Sequence, residues 1–143
     1  MPFTTCLIVA LGGALGTVAR YLVGLAAVPV SQTMPWGTVG INVTGSFLIG
    51  FFGTLTLAGG RFPVPENVRL FVMVGFCGGF TTFSAFSLQT LDLLRSGATG
   101  RAVVNVVASV AFCLLAVAAG HLMAARLNAG ARSIAQVAIE EEG

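Results

Sequence analysis

The chain has 143 residues, of which 56% are hydrophobic and only 8% charged, with a mean hydropathy of +0.95. Soluble domains carry about 25% charged residues, so this composition belongs to an integral membrane protein. A net charge of +2 on so apolar a chain offers nothing to nucleic acid.

A spanning helix needs about 20 mostly apolar residues. Four segments qualify, at about 4–28, 36–58, 67–94 and 100–127. The N-terminus has no basic stretch and no evident cleavage site, so the first segment reads as a retained helix and not a signal peptide. Within it Gly12, Gly16, Arg20 and Gly24 recur every fourth residue, which places them on one stripe. Small residues at that spacing let helix backbones approach closely. Arg20 on the same stripe reads either as a functional cation facing protein or a cavity, or as a helix-end arginine reaching for headgroups.

Pro29 ends the first segment. A short uncharged loop leads to Trp36, where an interfacial anchor belongs. In the second segment Thr38, Asn42 and Ser46 are spaced by four, with Gly45 beside them. A turn-rich loop over 59–65 precedes Glu66 and the third segment.

The third segment carries Gly78-Gly79-Phe80-Thr81-Thr82-Phe83-Ser84-Ala85-Phe86-Ser87. Adjacent glycines loosen a helix, and threonine hydroxyls bond backbone groups in place of the ladder. The stretch predicts a break at 78–82, with a second half-helix starting near Thr82; the alternative is a glycine kink in a continuous helix. Irregular backbone at membrane depth is tolerated only inside protein or beside water. In the fourth segment Asn105, Ser109 and Cys113 repeat the spacing of four. His121 follows without a second metal ligand at a suitable spacing. The polar tail over 128–143 reads as frayed or disordered. Cys6, Cys77 and Cys113 all fall in apolar segments and read as small buried hydrophobes.

The polar stripes are either interhelical hydrogen bonds or the lining of a path. A path here suits an anion. The apolar helices hold no carboxylate, since Glu66 and Asp92 lie near segment ends, and a proton-coupled exporter needs an ionisable group at depth. What they hold is hydrogen-bond donors, and helix N-termini also favour anions. Phe83 and Phe86 either pack or present their positive ring edges to an anion. Backbone carbonyls freed at 78–81 form an oxygen-rich site suited to a hard cation. Four helices are few for a sealed pore, which argues for an oligomer, most simply a twofold dimer. Arginines are nearly balanced between the two sides, so insertion in both orientations and an antiparallel dimer follow as the expectation.

The run Gly75-Phe76-Cys77-Gly78-Gly79-Phe80-Thr81-Thr82-Phe83-Ser84-Ala85-Phe86-Ser87 resembles the signature of the Fluc (CrcB) fluoride channels of prokaryotes. Gly12-Gly13-Ala14-Leu15-Gly16 with Arg20, and Trp36-Gly37-Thr38 leading to Asn42, match as well. The resemblance implies an all-α membrane protein of four helices with the third broken, assembled as an antiparallel, dual-topology homodimer in the cell membrane. It implies passive fluoride export through two pores. Gly78 and Thr81 carbonyls would hold a central structural sodium ion. Phe83, Phe86, Asn42, Ser109, Thr38, Thr82 and Ser84 would line the fluoride pathway, with Arg20 at a vestibule. Asn105 stands where a tyrosine is sometimes found, a departure confined to the outer track. The alternatives are a small four-helix multidrug exporter and a non-transporting membrane assembly subunit; no nucleophile–base pair or metal cluster points to an enzyme.

Overall fold

A computed structural model describes residues 2–141 of the chain, with side chains described over residues 3–129. Its described residues are all-helical, and four spans, Phe3–Ala26, Trp36–Leu55, Glu66–Arg95 and Thr99–Ala129, are long and apolar enough to cross a membrane. Helix α1 is Pro2–Ala26, followed by a short 3-10 turn Val28–Val30. Pro29 in that turn has no amide to continue the ladder. Helix α2 is Trp36–Leu55. At its C-cap the Thr56 hydroxyl donates to the Phe52 carbonyl at 2.7 Å, sharing that acceptor with the Thr56 amide.

The third span is in two halves. The first half, α3, begins as an ordinary helix over Glu66–Arg69. It widens to π-type hydrogen bonding over Leu70–Cys77 and closes with Gly78–Phe80. Thr81 and Thr82 are extended, and the second half, α4, is Phe83–Arg95. The break expected at 78–82 is therefore two residues wide, and the glycines do not make it. Gly78 is fully helical. Helix α4 ends in a Schellman-type turn. Gly97 sits at φ +78°, and the Ala98 amide reaches back to the Leu93 carbonyl at 2.9 Å.

Helix α5 is Thr99–Glu141, longer than the segment ending near 127. The stretch beyond is rich in alanine, a strong helix former, and contains no proline. Asn128 also ties this end down, donating to the Thr54 carbonyl at 3.0 Å and accepting from the Arg61 amide at 2.9 Å. Residues 142–143 of the tail lie outside the described residues.

Two helix pairs make the frame, α1 with α3 and α2 with α5. Both rest on backbone contact at glycine. A Cβ at Gly16 would overlap the Phe76 carbonyl, and one at Gly79 the Gly13 carbonyl. Gly50 and Gly120 meet the Val117 and Phe47 carbonyls in the second pair in the same way. The stripe on α1 is thus half used: Gly12 and Gly16 pack on α3, whereas Gly24 has open space beside it. The buried polar groups Thr82, Asn105 and Ser109 sit inside, while many leucines and valines face outward. That inversion is what a hydrocarbon solvent selects. Cys77 is buried and Cys113 half-buried, but Cys6 is exposed on this outer apolar surface, contrary to its reading as a buried residue.

Candidate functional site

Asn42 makes the break. Its side-chain amide donates to the Thr82 carbonyl at 3.0 Å, and its Oδ1 accepts from the Thr82 amide at 2.7 Å. One side chain from α2 thereby satisfies both backbone groups of an extended residue at membrane depth, where leaving either unpaired is costly. The clamp has a second effect. In a continuous helix the Thr82 amide would go to the Gly78 carbonyl. Given to Asn42, it releases that carbonyl from the ladder.

The same logic applies one turn on. The Ala85 amide, which would serve the Thr81 carbonyl, instead donates to Thr82 Oγ1 at 3.2 Å, the N-cap bond of α4. The Thr81 hydroxyl is turned back to the Cys77 carbonyl at 2.9 Å. Thr17 of α1 donates to the Gly79 carbonyl at 3.5 Å. Gly78 and Thr81 are thus the two positions whose carbonyls lose their helical donors to a side chain. Neutral oxygens of this kind fit a hard cation such as sodium.

Beside the break runs a groove of about 430 Å³ between α2, the two half-helices and α5. Asn42, Ser46, Gly78, Thr81, Thr82, Phe83, Phe86, Ser109 and Cys113 line it. It collects most of the residues singled out from the sequence, drawn from three segments far apart in the chain. The Phe83 and Phe86 rings stand 5.3 Å apart between centroids and are tilted by 50°. Phe83 is 78% exposed in the single chain although it sits at the centre of a span. Neither ring is packed away as a core phenylalanine would be. Asn42 has a second amide hydrogen, and Ser109 is buried with its hydroxyl on the groove. The wall therefore holds hydrogen-bonding side chains and two aromatic rings and contains no carboxylate.

Three expected site residues lie outside this lining. Thr38 is half-buried, one turn before Asn42 on α2. Ser84 is exposed, with its hydroxyl 3.3 Å from that of Thr82. Arg20 is half-buried on the Gly12–Gly16 face of α1 and pairs with no carboxylate among the described residues. Asn105 is the most deeply buried large side chain. It donates to Thr90 Oγ1 at 2.8 Å, while its Oδ1 has no partner. Thr90 in turn donates to the Phe86 carbonyl at 2.7 Å, so this pair braces the helix that carries the rings. His121 meets the Thr54 hydroxyl at 2.8 Å, and no metal-binding cluster occurs among the described residues.

Two features escaped the sequence reading. The π-type widening of α3 has no compositional signature. The other is Arg69, which reaches across to α2. Its Nη1 donates to the Gly53 carbonyl at 3.0 Å and to Thr56 Oγ1 at 2.5 Å. Its place one turn into an apolar span was the available signal.

Comparison with known proteins agrees with this geometry. The family described as CrcB-like protein, Camphor Resistance (CrcB), matches residues 7–121. A Methylobacterium radiotolerans protein named "Fluoride-specific ion channel FluC" is 68% identical over 143 residues, covering 100% of both chains. A Gluconobacter oxydans protein of the same name is 67% identical and covers 99% of both chains. One from Methylocella silvestris is 60% identical over 82% of this chain and 91% of its own. With a match across the broken span and both polar stripes, and relatives aligned end to end, this chain belongs to the CrcB family.

Proposed function

We propose that this protein is a passive, fluoride-selective channel of the cell membrane that lets cytoplasmic fluoride leave the cell. The observation that carries the reading is the groove at the break, which Asn42, Thr82 and Ser109 line together with Phe83 and Phe86. Fluoride holds its water tightly, so a selective path must replace that shell with donors at successive positions. A ring edge carries partial positive charge and adds attraction without a fixed cation that would trap the ion. The membrane potential, negative inside, then drives the anion outward by about 2.3 kcal/mol per charge per 100 mV. A channel of this kind is not an enzyme. It also needs no coupling carboxylate, and Glu66 and Asp92 lie at the outer ends of α3 and α4.

The functional unit is an antiparallel homodimer with two paths. Phe83, exposed at mid-span, and the small buried core of one chain support a second copy as cover. In that arrangement the two breaks meet, and the Gly78 and Thr81 carbonyls of both copies would hold a structural sodium ion. The ion would supply positive charge that ties four half-spans together at the centre.

The test is fluoride efflux from proteoliposomes holding only this chain, with chloride as the control anion. Rapid fluoride release with retained chloride is expected. Equal release of both, or of neither, would remove the reading. Proton-coupled uptake of a lipophilic cation would replace it with the multidrug-exporter reading.

A further inference from the structure

The groove does not end at the phenylalanines. A second cavity of about 450 Å³ adjoins it toward the α2 C-terminus, with Ile49 and Met73 lining both. Arg69 and His121 line this second cavity together with Thr54. The Arg69 guanidinium is half-buried and anchored on one side only: Nη1 carries both of its bonds, to Gly53 and Thr56. Three further donors, on Nη2 and Nε, take no acceptor among the described residues. His121 on the same lining is held through Nδ1 by the Thr54 hydroxyl at 2.8 Å, and its Nε2 takes no partner among the described residues. No carboxylate lines the space, and Glu66, one turn away on the same helix, forms no ion pair with Arg69.

A cap on the α2 carbonyls accounts for Nη1. It does not account for a permanently charged fork whose other donors are left beside a cavity that adjoins the anion path. A half-buried cation without a counter-ion attracts one. We infer that Arg69, with His121 on the same lining, forms an anion-binding site at the α2 end of the path, which loads or unloads the transported halide. The inference rests on the reading of the groove as a fluoride path. A lipid phosphate offers the same chemistry at this depth, so the occupant has to be distinguished.

The experiment measures initial fluoride efflux against fluoride concentration for the wild type, Arg69→Gln and Arg69→Lys. Liposomes are made of phosphatidylcholine alone and of phosphatidylcholine with phosphatidylglycerol. Glutamine can still cap Gly53 and Thr56 but carries no charge; lysine keeps the charge. Arg69→Gln is expected to raise the half-saturating fluoride concentration about tenfold in both lipids, with Arg69→Lys recovering most of it. An unchanged half-saturation in a glutamine variant of wild-type thermal stability would overturn the site. So would lysine behaving as glutamine, or a shift confined to phosphatidylglycerol, which would make the occupant a headgroup. Fluorine NMR titration of the detergent-solubilised proteins with sodium fluoride separates the two levels. Binding weakened by Arg69→Gln in a protein that passes no fluoride would keep the site and retire the channel reading; loss of both signals would retire both.

Discussion

Asn42 shows how one side chain sets both structure and chemistry. An asparagine amide carries a donor and an acceptor side by side, which is what an extended residue exposes. Its pairing with Thr82 holds the break open and diverts the amide that would have closed over Gly78. Aspartate can keep one of those bonds but cannot donate to the Thr82 carbonyl, and it sets a negative group beside an anion path. Asn42→Asp is therefore expected to lower fluoride efflux by at least about tenfold, as for loss of a charge-sensitive buried hydrogen bond. Efflux at the wild-type rate would reduce Asn42 to a helix clamp. The rings call for a different change. Phe83→Ile and Phe86→Ile keep bulk and remove the positive edge, so fluoride efflux should fall in each while chloride exclusion persists. If neither variant slows, the rings only pack.

Among the helices, the two halves of the third span depend on different neighbours. Helix α3 is held by backbone contact with α1, where there is no room for a methyl group. Gly16→Ala or Gly79→Ala must push the helices apart, at a cost of about 1–3 kcal/mol for overpacking, and should lower the Tm in detergent. Gly24→Ala meets nothing within 4 Å and should leave the Tm in place. Equal falls at all three would mean that helix-interior backbone flexibility, not contact, is what these glycines supply. Helix α4 rests instead on the Thr82 cap and on the Asn105–Thr90 bond. Spacing in the sequence identified the glycine stripe and both polar stripes, because helix geometry alone places every fourth residue on one face. It did not separate Gly16 from Gly24, since only the neighbouring helix decides which part of a stripe is covered. It assigned the break to the glycines and the threonine hydroxyls together; the structure keeps Gly78 helical and leaves the work to Thr81 and Thr82, with a partner forty residues away that the spacing did not reveal.

The whole molecule presents a problem that one chain leaves open. Polar groups line a groove open along one side, and Phe83 is uncovered at membrane depth. The proposed second copy in inverted orientation would close both. Dual insertion is checked by a single cysteine at Ser96, in the α4–α5 loop, in a chain cleared of Cys6, Cys77 and Cys113. About half of it should react with an impermeant maleimide from outside intact cells, the share expected of equal dual insertion; complete or absent labelling would establish a single orientation. The sodium proposal is read by refolding the purified protein in lithium or potassium in place of sodium. Fluoride efflux should fall and return with sodium, and indifference to the cation would leave the Gly78 and Thr81 carbonyls to water.

By itself the sequence determined the solvent, the number of spans and the residue types of the site. Each follows from local composition: apolar runs of spanning length, a pattern repeating every four residues, and a hydroxyl-rich stretch that weakens the helical ladder. Which of those residues share a groove was decided by the packing of α2 and α5 against the broken span. So was the capture of the Thr82 backbone by Asn42, and the reach of Arg69 to the Gly53 carbonyl and the Thr56 hydroxyl. These are contacts between segments distant in the chain, and no local pattern encodes the depth at which two helices meet.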